Sequence, residues 1–531
     1  MPGPATGRTR NSQAPIGRGR RWFLALLIAL VARVPAWGAS PSTDQVLAWN
    51  AHTTHAIQAT PMDPFMATRA LALESIAVLD TLRSIAGAPS FLVHLTAPAE
   101  VNADLAVAAS AHTMLAYLFP TRRTNLAASY SLVEAAYPAG PKRDRAVAFG
   151  RSIARAIIAI RDQDGWNAID IIRSGSEPGR WRPTPRGFYP PLHPHWAGVT
   201  PFTLTAANQF RPSGPPAPST AAFNAAALET ATIGAADSAT RTADQTQAAH
   251  YWNDGIGTYA PAGHWNVIAR EALAPRPRDP RAEAEVLVRL NVAIADSAIA
   301  MADTKYTYWA WRPLTAIQAG GPDFPGRPNW RSLLETPNHP GYVSGHSVFS
   351  GAAATVLTAE LGAHPFRTGS VGLPGVFRGF THFHHAAEEA ANSRLWGGIH
   401  FRFDNTDGLV IGRAAGAWVM EAFARASNDR GPVIVLDEDA KAGFVLHHIA
   451  PIESVAIDLA YGTRVAAPVD AAGRFVMPPV AHGTAVKLSA TSAGGRTATL
   501  SLAGQAARVR STICSTPCFA VSKAPAIQSD R

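Results

Sequence analysis

The segment SRLWGGIHFRFD, Ser393 to Asp404, holds a cation, two glycines, a histidine and a carboxylate within twelve residues. His400 and Asp404 are four apart and would share a helix face, whereas Arg394 and His400 are six apart and would not. Gly397-Gly398 lies between them, where a helix is weakened and backbone can approach a ligand closely. A polar helix face and one wall of a cradle for a charged ligand both fit this segment taken alone. A second stretch, KYTYWAWRP, opens on Lys305 and carries Arg312. Lysine is scarce in the chain, and Lys305 is the only one between Lys142 and Lys441. Among so many arginines, this position has a particular reason to hold a compact ammonium. Lys305 and Arg312 are seven apart, close to two helical turns, and are expected to project from one face. Tyr306, Tyr308, Trp309 and Trp311 crowd them, and two cations amid large apolar side chains need an anion. The third stretch is HPGYVSGHSVFSGAAATVLTAEL. Its Ser344-Gly345-His346 opens a small-residue helix running to about Leu361. Backbone N–H groups, a hydroxyl and the helix dipole gather at such a start and favour an anion. His346 there is either an acid–base group or a capping histidine.

Helical periodicity dominates the elements that must position these residues. Apolar residues recur at three- and four-residue intervals in DQVLAWNAHTTHAIQA, in DPFMATRALALESIAVLDTLRSIAG and from Val101 to Leu118. A further helix fits DRAVAFGRSIARAIIAIRDQDG, stopped by Gly165. From about Gly175 to Pro218 the chain turns Pro-, Gly- and Trp-rich, and so long a connection suits the lining or covering of a site. Helical patterns resume near Ala221 and reach about Ala426, with loops expected at Pro275–Asp279, Gly320–Asn329 and Pro365–Phe380. Beyond Gly431, VIVLD, FVLHH, VAIDLAY, TAVKLSATS and TATLSL are short, β-branched or alternating, and read as a small β-sandwich. No repeat of 20–50 residues is evident. HTTHAIQ, HPHW and HFHH are histidine-bearing patches that suit surface or packing roles better than ligand sets.

The chain has 531 residues, 47% of them hydrophobic and 16% charged, enough for two or three globular domains. Its net charge of +9 first suggests an acidic partner. Six arginines, Arg8, Arg10, Arg18, Arg20, Arg21 and Arg33, precede the first acidic residue, Asp44, and account for most of that excess. Without a dense basic patch, nucleic acid is not an expected partner. RGRRWFLALLIALVARVPAWGAS instead has a basic start, a short apolar core and small residues at cleavage positions, the layout of a secretory signal. GRRWFL resembles a twin-arginine signal, with Gly19 in place of the usual polar residue. The mature protein is therefore expected in the periplasm or outside the cell, with no integral membrane part. Cys514 and Cys518 form either a small disulfide loop or two unpaired thiols.

Taken together, the three stretches read K-x6-R-P, then S-G-H, then S-R-x5-H-x3-D. They resemble the superfamily that joins type-2 phosphatidic acid phosphatases with vanadium-dependent haloperoxidases. Ten residues agree in order and at permitted spacings, and one position departs: Val343 stands where many members have proline. The resemblance implies that Lys305, Arg312 and Arg394 neutralise the oxygens of a tetrahedral oxyanion, with the Ser344 hydroxyl and Gly345 N–H completing the cradle. It implies that His400 bonds the central atom, that Asp404 fixes its tautomer, and that His346 stands opposite as acid–base group. Vanadate is the implied cofactor, and phosphate could occupy the same site.

Two chemistries share such a cradle. With a phosphoester, His400 is a nucleophile and His346 protonates the leaving oxygen. With vanadate, His400 is a permanent ligand, and hydrogen peroxide and a halide are the substrates. The phrases YVSGHSVFSGAAA, EEAANSRLWGGIHFRFD, YWNDGIGTYAPAGHWNVIA and GRWRPTPRGFYPPLHPHWAGVTPF resemble the haloperoxidase branch, over roughly Val46 to Ala426. The expected fold is mainly α: a haloperoxidase-like core of two four-helix-bundle-type halves with a small C-terminal β-sandwich-like domain. The expected boundaries are a signal at 1–38, an N-terminal helical half at 39–218, a C-terminal half carrying the site at 219–430, and a β-rich domain and tail at 431–531. The expected function is halide oxidation by hydrogen peroxide at a histidine-bound vanadate; the alternative is a secreted acid phosphatase. His339, five positions before Ser344, bears on the halide. In the family the matching position is aromatic in chloride-oxidising members and histidine in bromide-oxidising algal ones. The resemblance therefore favours bromide or iodide, with a His339 whose charge changes near neutral pH.

Overall fold

The computed structural model describes residues 44–426, apart from positions 171, 173, 174 and 278, together with strands between Val433 and Cys514. The expected signal at 1–38 and Cys518, one of the two cysteines read as either a disulfide pair or free thiols, lie outside the described residues.

The helices start where the sequence supplies caps. Asp44, Asp63, Asn102 and Asp279 each accept backbone N–H bonds ahead of helices α1 (Gln45–Ala59), α2 (Pro64–Ile85), α3 (Ala103–Leu118) and the long Pro280–Tyr308. Proline takes the first turn where its missing N–H costs nothing, as at Pro64, Pro141 and Pro280. Between α3 and α5 (Pro141–Arg161) lies α4 (Arg123–Ala135), which the sequence pattern does not announce. Only Leu126, Tyr130 and Val133 of α4 are buried, so its apolar stripe is thin and its pattern weak. Helix α5 ends at Arg161, four residues before the expected stop at Gly165.

Next come α6 (Ala221–Ile233), α7 (Ala243–Tyr251), α8 (Ala260–Leu273), α9 (Pro280–Tyr308), α10 (Pro313–Ala319), α11 (Gly345–Leu361), α12 (Phe383–Trp396) and α13 (Arg402–Ala426). The buried core runs continuously from Val46 to Phe423. Helix α9 packs on α2 of the N-terminal group and on α11 and α13 of the C-terminal group. Helices α11 and α13 cross nearly backbone to backbone: a Cβ on Gly412 would stand 2.0 Å from the Val348 carbonyl oxygen. That close crossing holds the start of α11 against the start of α13, and both starts carry site residues.

The Pro- and Trp-rich connection has no α-helix and is pinned by buried Trp181 and Trp196. The expected loop at Pro365–Phe380 instead contains an antiparallel hairpin, β1 (Phe366–Gly369) with β2 (Phe377–Phe380). Its alternation of aromatic and polar residues around a Gly/Pro turn is a strand signal that a loop reading misses. The C-terminal region forms two four-stranded antiparallel sheets. The first has order β10 (Ile513–Cys514), β3 (Val433–Leu436), β4 (Ala442–Leu446), β7 (Arg474–Val476). The second has order β6 (Arg464–Ala467), β5 (Ile452–Leu459), β8 (Val486–Ser492), β9 (Thr497–Leu502). No helix among the described residues is long and apolar enough to cross a membrane.

Candidate active site

Lys305 and Arg312 do not share a helix face. Helix α9 stops at Tyr308, Trp309 turns into the left-handed region (φ 50°, ψ 37°), and Arg312 is the N-cap residue of α10. The two cations meet because the chain turns between them. That turn is held by the Pro-rich connection: the Trp181 N–H donates to the Trp309 carbonyl (2.6 Å) and the Trp311 N–H to the Gly179 carbonyl (2.9 Å). Spacing along one helix does not bring the two together; tertiary structure does.

Both cations are fully buried and reach the same loop. Lys305 Nζ donates to the carbonyls of Pro340 (2.6 Å) and Gly341 (3.3 Å). Arg312 donates from Nε to the His339 carbonyl (2.7 Å) and from Nη1 to the Ile399 carbonyl (2.8 Å). The loop can come this close only because position 341 is glycine: a Cβ there would lie 2.7 Å from the Trp311 carbonyl oxygen. Arg394, in the last turn of α12, is also buried and donates from Nη1 to the Trp252 carbonyl (3.1 Å), while its Nε has no hydrogen-bond partner among the described residues.

His400 and Asp404 are not two points on one helix. Helix α13 begins at Arg402, so His400 lies before it and Asp404 is in its first turn. Asp404 Oδ2 reaches back to accept from the Phe401 N–H (3.0 Å) and sits 3.0 Å from His400 Nδ1. This is half of a capping box, turned to hold an imidazole. Arg312 Nη1 lies 3.0 Å from His400 Nε2. A guanidinium only donates, so Nε2 is the bare nitrogen and Nδ1 carries the proton given to Asp404. Gly397-Gly398 ends α12, and its backbone approaches that of Gly234.

Ser344 caps α11, its Oγ accepting from the Ser347 N–H (3.4 Å), and its own N–H bonds the Asp404 carbonyl (2.9 Å). Gly345 is the first helical residue and His346 the second. Among the described residues His346 Nε2 has no hydrogen-bond partner. Arg312 Nη2 donates to the His339 ring, 2.9 Å from Nδ1 and 3.3 Å from Nε2. His339 Nδ1 also lies 3.2 Å from the Pro340 carbonyl.

Burial and mutual repulsion shape the charges. Burial and then Arg312 push Lys305 well below its ordinary value, with Asp404 opposing. Burial brings Arg312 down to about 10 and Arg394 down to about 9. Asp404 rises to about 7, chiefly from burial, against the Phe401 N–H and the nearby cations. Burial and the cations hold His400 and His339 well below 6.5, and burial and Arg394 do the same to His346. The expected change of charge on His339 near neutral pH is therefore not what the surroundings give: beside Lys305 and Arg312 it stays neutral there.

Three buried cations, with Arg394 Nε and His346 Nε2 lacking hydrogen-bond partners among the described residues, fit an oxyanion that supplies negative charge and acceptor oxygens. The bare Nε2 of His400 fits a bond to its central atom, so the donor set suits vanadate and phosphate alike. Residues outside the three-part motif stand behind the site. The Trp252 carbonyl holds Arg394, and Asp254 is close enough to raise the Arg394 pKa. Asp254 Oδ2 is also 3.0 Å from Nδ1 of the fully buried His264, whose ring stacks on Trp252. Their sequence signal is the phrase YWNDGIGTYAPAGHWNVIA, in which Asn253-Asp254 is a polar pair inside an aromatic run.

Residues 285–429 match the family described as the VCPO second helical-bundle domain. The fold is similar to that of a bacterial vanadium-dependent iodoperoxidase, with a TM-score of 0.64 and 27% identity, covering 72% of this chain and 96% of that one. It is also similar to the holo form of a bacterial vanadium-dependent chloroperoxidase, with a TM-score of 0.56 and 17% identity, covering 69% of this chain and 93% of that one. The apo form of such a chloroperoxidase gives the same TM-score and identity. No curated protein matches the chain.

Proposed function

Because this chain belongs to the vanadium-haloperoxidase superfamily, we propose that it is a vanadate-dependent haloperoxidase that oxidises a halide, bromide or iodide rather than chloride, with hydrogen peroxide. The observation that carries the reading is the bare His400 Nε2 set among three buried cations. Vanadate, when bound, supplies the Lewis-acidic centre at which peroxide is activated. The chain's own residues do the rest. Lys305, Arg312 and Arg394 neutralise the oxyanion and withdraw charge from its oxygens. His400 holds it through Nε2, and Asp404 keeps the His400 proton on Nδ1. His346, neutral at physiological pH, takes the proton of incoming peroxide on Nε2 and returns it to leaving water. Hydrogen peroxide, halide and one proton give hypohalous acid and water. The mature protein acts in the periplasm or outside the cell, the β-rich region beyond 431 being a separate unit.

The same cradle supports a second reading, a secreted acid phosphatase with His400 as nucleophile, since its charges suit phosphate equally. An assay pair on purified protein separates the two. Bromide and iodide oxidation with vanadate and peroxide is compared with phosphomonoester hydrolysis, each with the other oxyanion as inhibitor. Vanadate-dependent hypohalite formation that phosphate suppresses is the expected result. Hydrolysis without any halide oxidation overturns the proposal in favour of the phosphatase.

A further inference from the structure

The sequence motif HPHW, His193 to Trp196, takes no part in the oxyanion site. Its histidines nevertheless stand in a cluster built from three separate parts of the chain. His193 adopts the left-handed conformation (φ 48°, ψ 56°) ahead of a 3-10 turn over Pro194–Gly198, and buried Trp196 anchors that turn. The bend sets the two imidazoles near a right angle, with ring centroids 5.2 Å apart. Asp170 Oδ1 accepts from the His195 backbone N–H (3.0 Å) and lies 2.6 Å from His195 Nδ1. His195 Nε2 is 2.9 Å from the Trp166 carbonyl, which can only accept, so Nε2 carries a proton and Nδ1 faces the carboxylate. On the other side, His193 Nε2 is 3.1 Å from Oδ2 of Asp63, the residue that caps α2.

We propose that Asp170, His193 and His195 bind one divalent transition-metal ion of the zinc class, which staples the Pro-rich connection to the helical core. Two imidazoles and a carboxylate are the donor set such ions prefer, with water available as fourth ligand. One ligand atom from each of the three residues lies within 4.8 Å of the others. Ligands about 2.1 Å from a tetrahedral ion stand about 3.4 Å apart, so a closure of about 1.4 Å completes the site. The ion replaces the proton held between His195 Nδ1 and the Asp170 carboxylate, and that proton goes to solvent. The orienting partners are already in place: the Trp166 carbonyl behind His195 and the Asp63 carboxylate behind His193. The side chains of Asp170 and His193 are 29% and 25% exposed, which leaves the ion a path in.

The consequence reaches the cradle from outside. The Leu192 N–H donates to the Asn338 carbonyl (2.9 Å), and Tyr306 Oη bonds the Leu192 carbonyl. The residue before the motif is thus tied both to the neighbour of His339 and to the neighbour of Lys305. An ion on His193 steadies that wall without entering the reaction, so the metal site stands or falls independently of the proposed activity.

The test uses the full chain, stripped with a chelator and saturated with phosphate so that the cradle imidazoles are covered. Zinc uptake is read by calorimetry, cobalt uptake by its visible d–d absorption, and stability by thermal unfolding with and without zinc. One equivalent of metal in the wild type is expected, with a raised Tm. His193→Gln, His195→Gln and Asp170→Asn should each weaken binding at least about tenfold and lose the Tm increase. Far-UV circular dichroism identifies any variant that fails to fold, and the others then report. No metal uptake by the wild type, or uptake unchanged in the folded variants, overturns the proposal and leaves the cluster as hydrogen bonds that tie down a loop.

Discussion

Asp404 Oδ2 accepts from both His400 Nδ1 and the Phe401 N–H, each at 3.0 Å, so one carboxylate oxygen starts a helix and fixes an imidazole tautomer. The helix start and the ligand nitrogen cannot be changed independently. His346, by contrast, lies in the first turn of another helix and has no hydrogen-bond partner on Nε2 among the described residues.

That difference separates their roles. His400→Ala should lose both tight vanadate binding and halide oxidation, since it removes the one nitrogen aimed at the central atom. His346→Ala should still bind vanadate while losing most peroxide activation. Vanadate affinity by calorimetry, beside turnover, distinguishes them. Equal, poor vanadate binding in both variants contradicts the assignment.

Lys305 offers a second prediction. Its compact ammonium fits under two carbonyls, Pro340 and Gly341, in a fully buried space. Lys305→Arg keeps the charge but puts a planar fork on a longer stem into that space. Turnover should fall at least about tenfold, or about 1.4 kcal/mol of transition-state stabilisation. Unchanged turnover means that the ammonium does not act on the bound oxyanion.

The sequence shows the chemistry more clearly than its geometry. The start of α11 at Ser344-Gly345 is legible because small residues, a capping serine and periodicity agree there. The meeting of Lys305 with Arg312 is not, because it depends on a left-handed Trp309 and on a strap from residues 179–181 over 120 positions away. His339 shows the same limit: its neighbours in sequence are loop residues, whereas its neighbours in space are Arg312 and Lys305. Helix α4 escapes notice because most of its side chains face solvent and leave little period to read.

A third prediction concerns stability. Glu74 is buried in α2 near Arg270, Asn50 and Ser75, and burial pushes its carboxyl up to about 8 from 4.5. The folded chain therefore binds a proton there that the unfolded chain has released between about pH 4.5 and 8. Its contribution is fully present below about 4.5 and is lost as pH rises through about 8, at up to about 1.4 kcal/mol per pH unit. Glu74→Gln keeps the shape without the titration. Denaturant unfolding at several pH values should show a slope for the wild type smaller by that one proton in the variant. Parallel pH profiles would mean that Glu74 is ionised in the folded protein.

The last prediction concerns the halide and turns on His339. Arg312 Nη2 donates to the His339 ring, 2.9 Å from Nδ1 and 3.3 Å from Nε2, and burial with Lys305 and Arg312 holds the group neutral at physiological pH. A neutral imidazole on the guanidinium that faces the oxyanion can hydrogen-bond bound peroxide without adding a positive charge. Phenylalanine in its place removes that bond and strips Arg312 Nη2 of its acceptor. His339→Phe should therefore lower bromide and iodide turnover and narrow the advantage of bromide over chloride. Because burial keeps His339 from titrating near neutrality, the bromide profile of the wild type should show no step at pH 6–7 that the variant lacks. Halide competition measured at several pH values on both proteins decides it. Identical bromide-to-chloride ratios in wild type and variant would show that His339 serves only to orient Arg312.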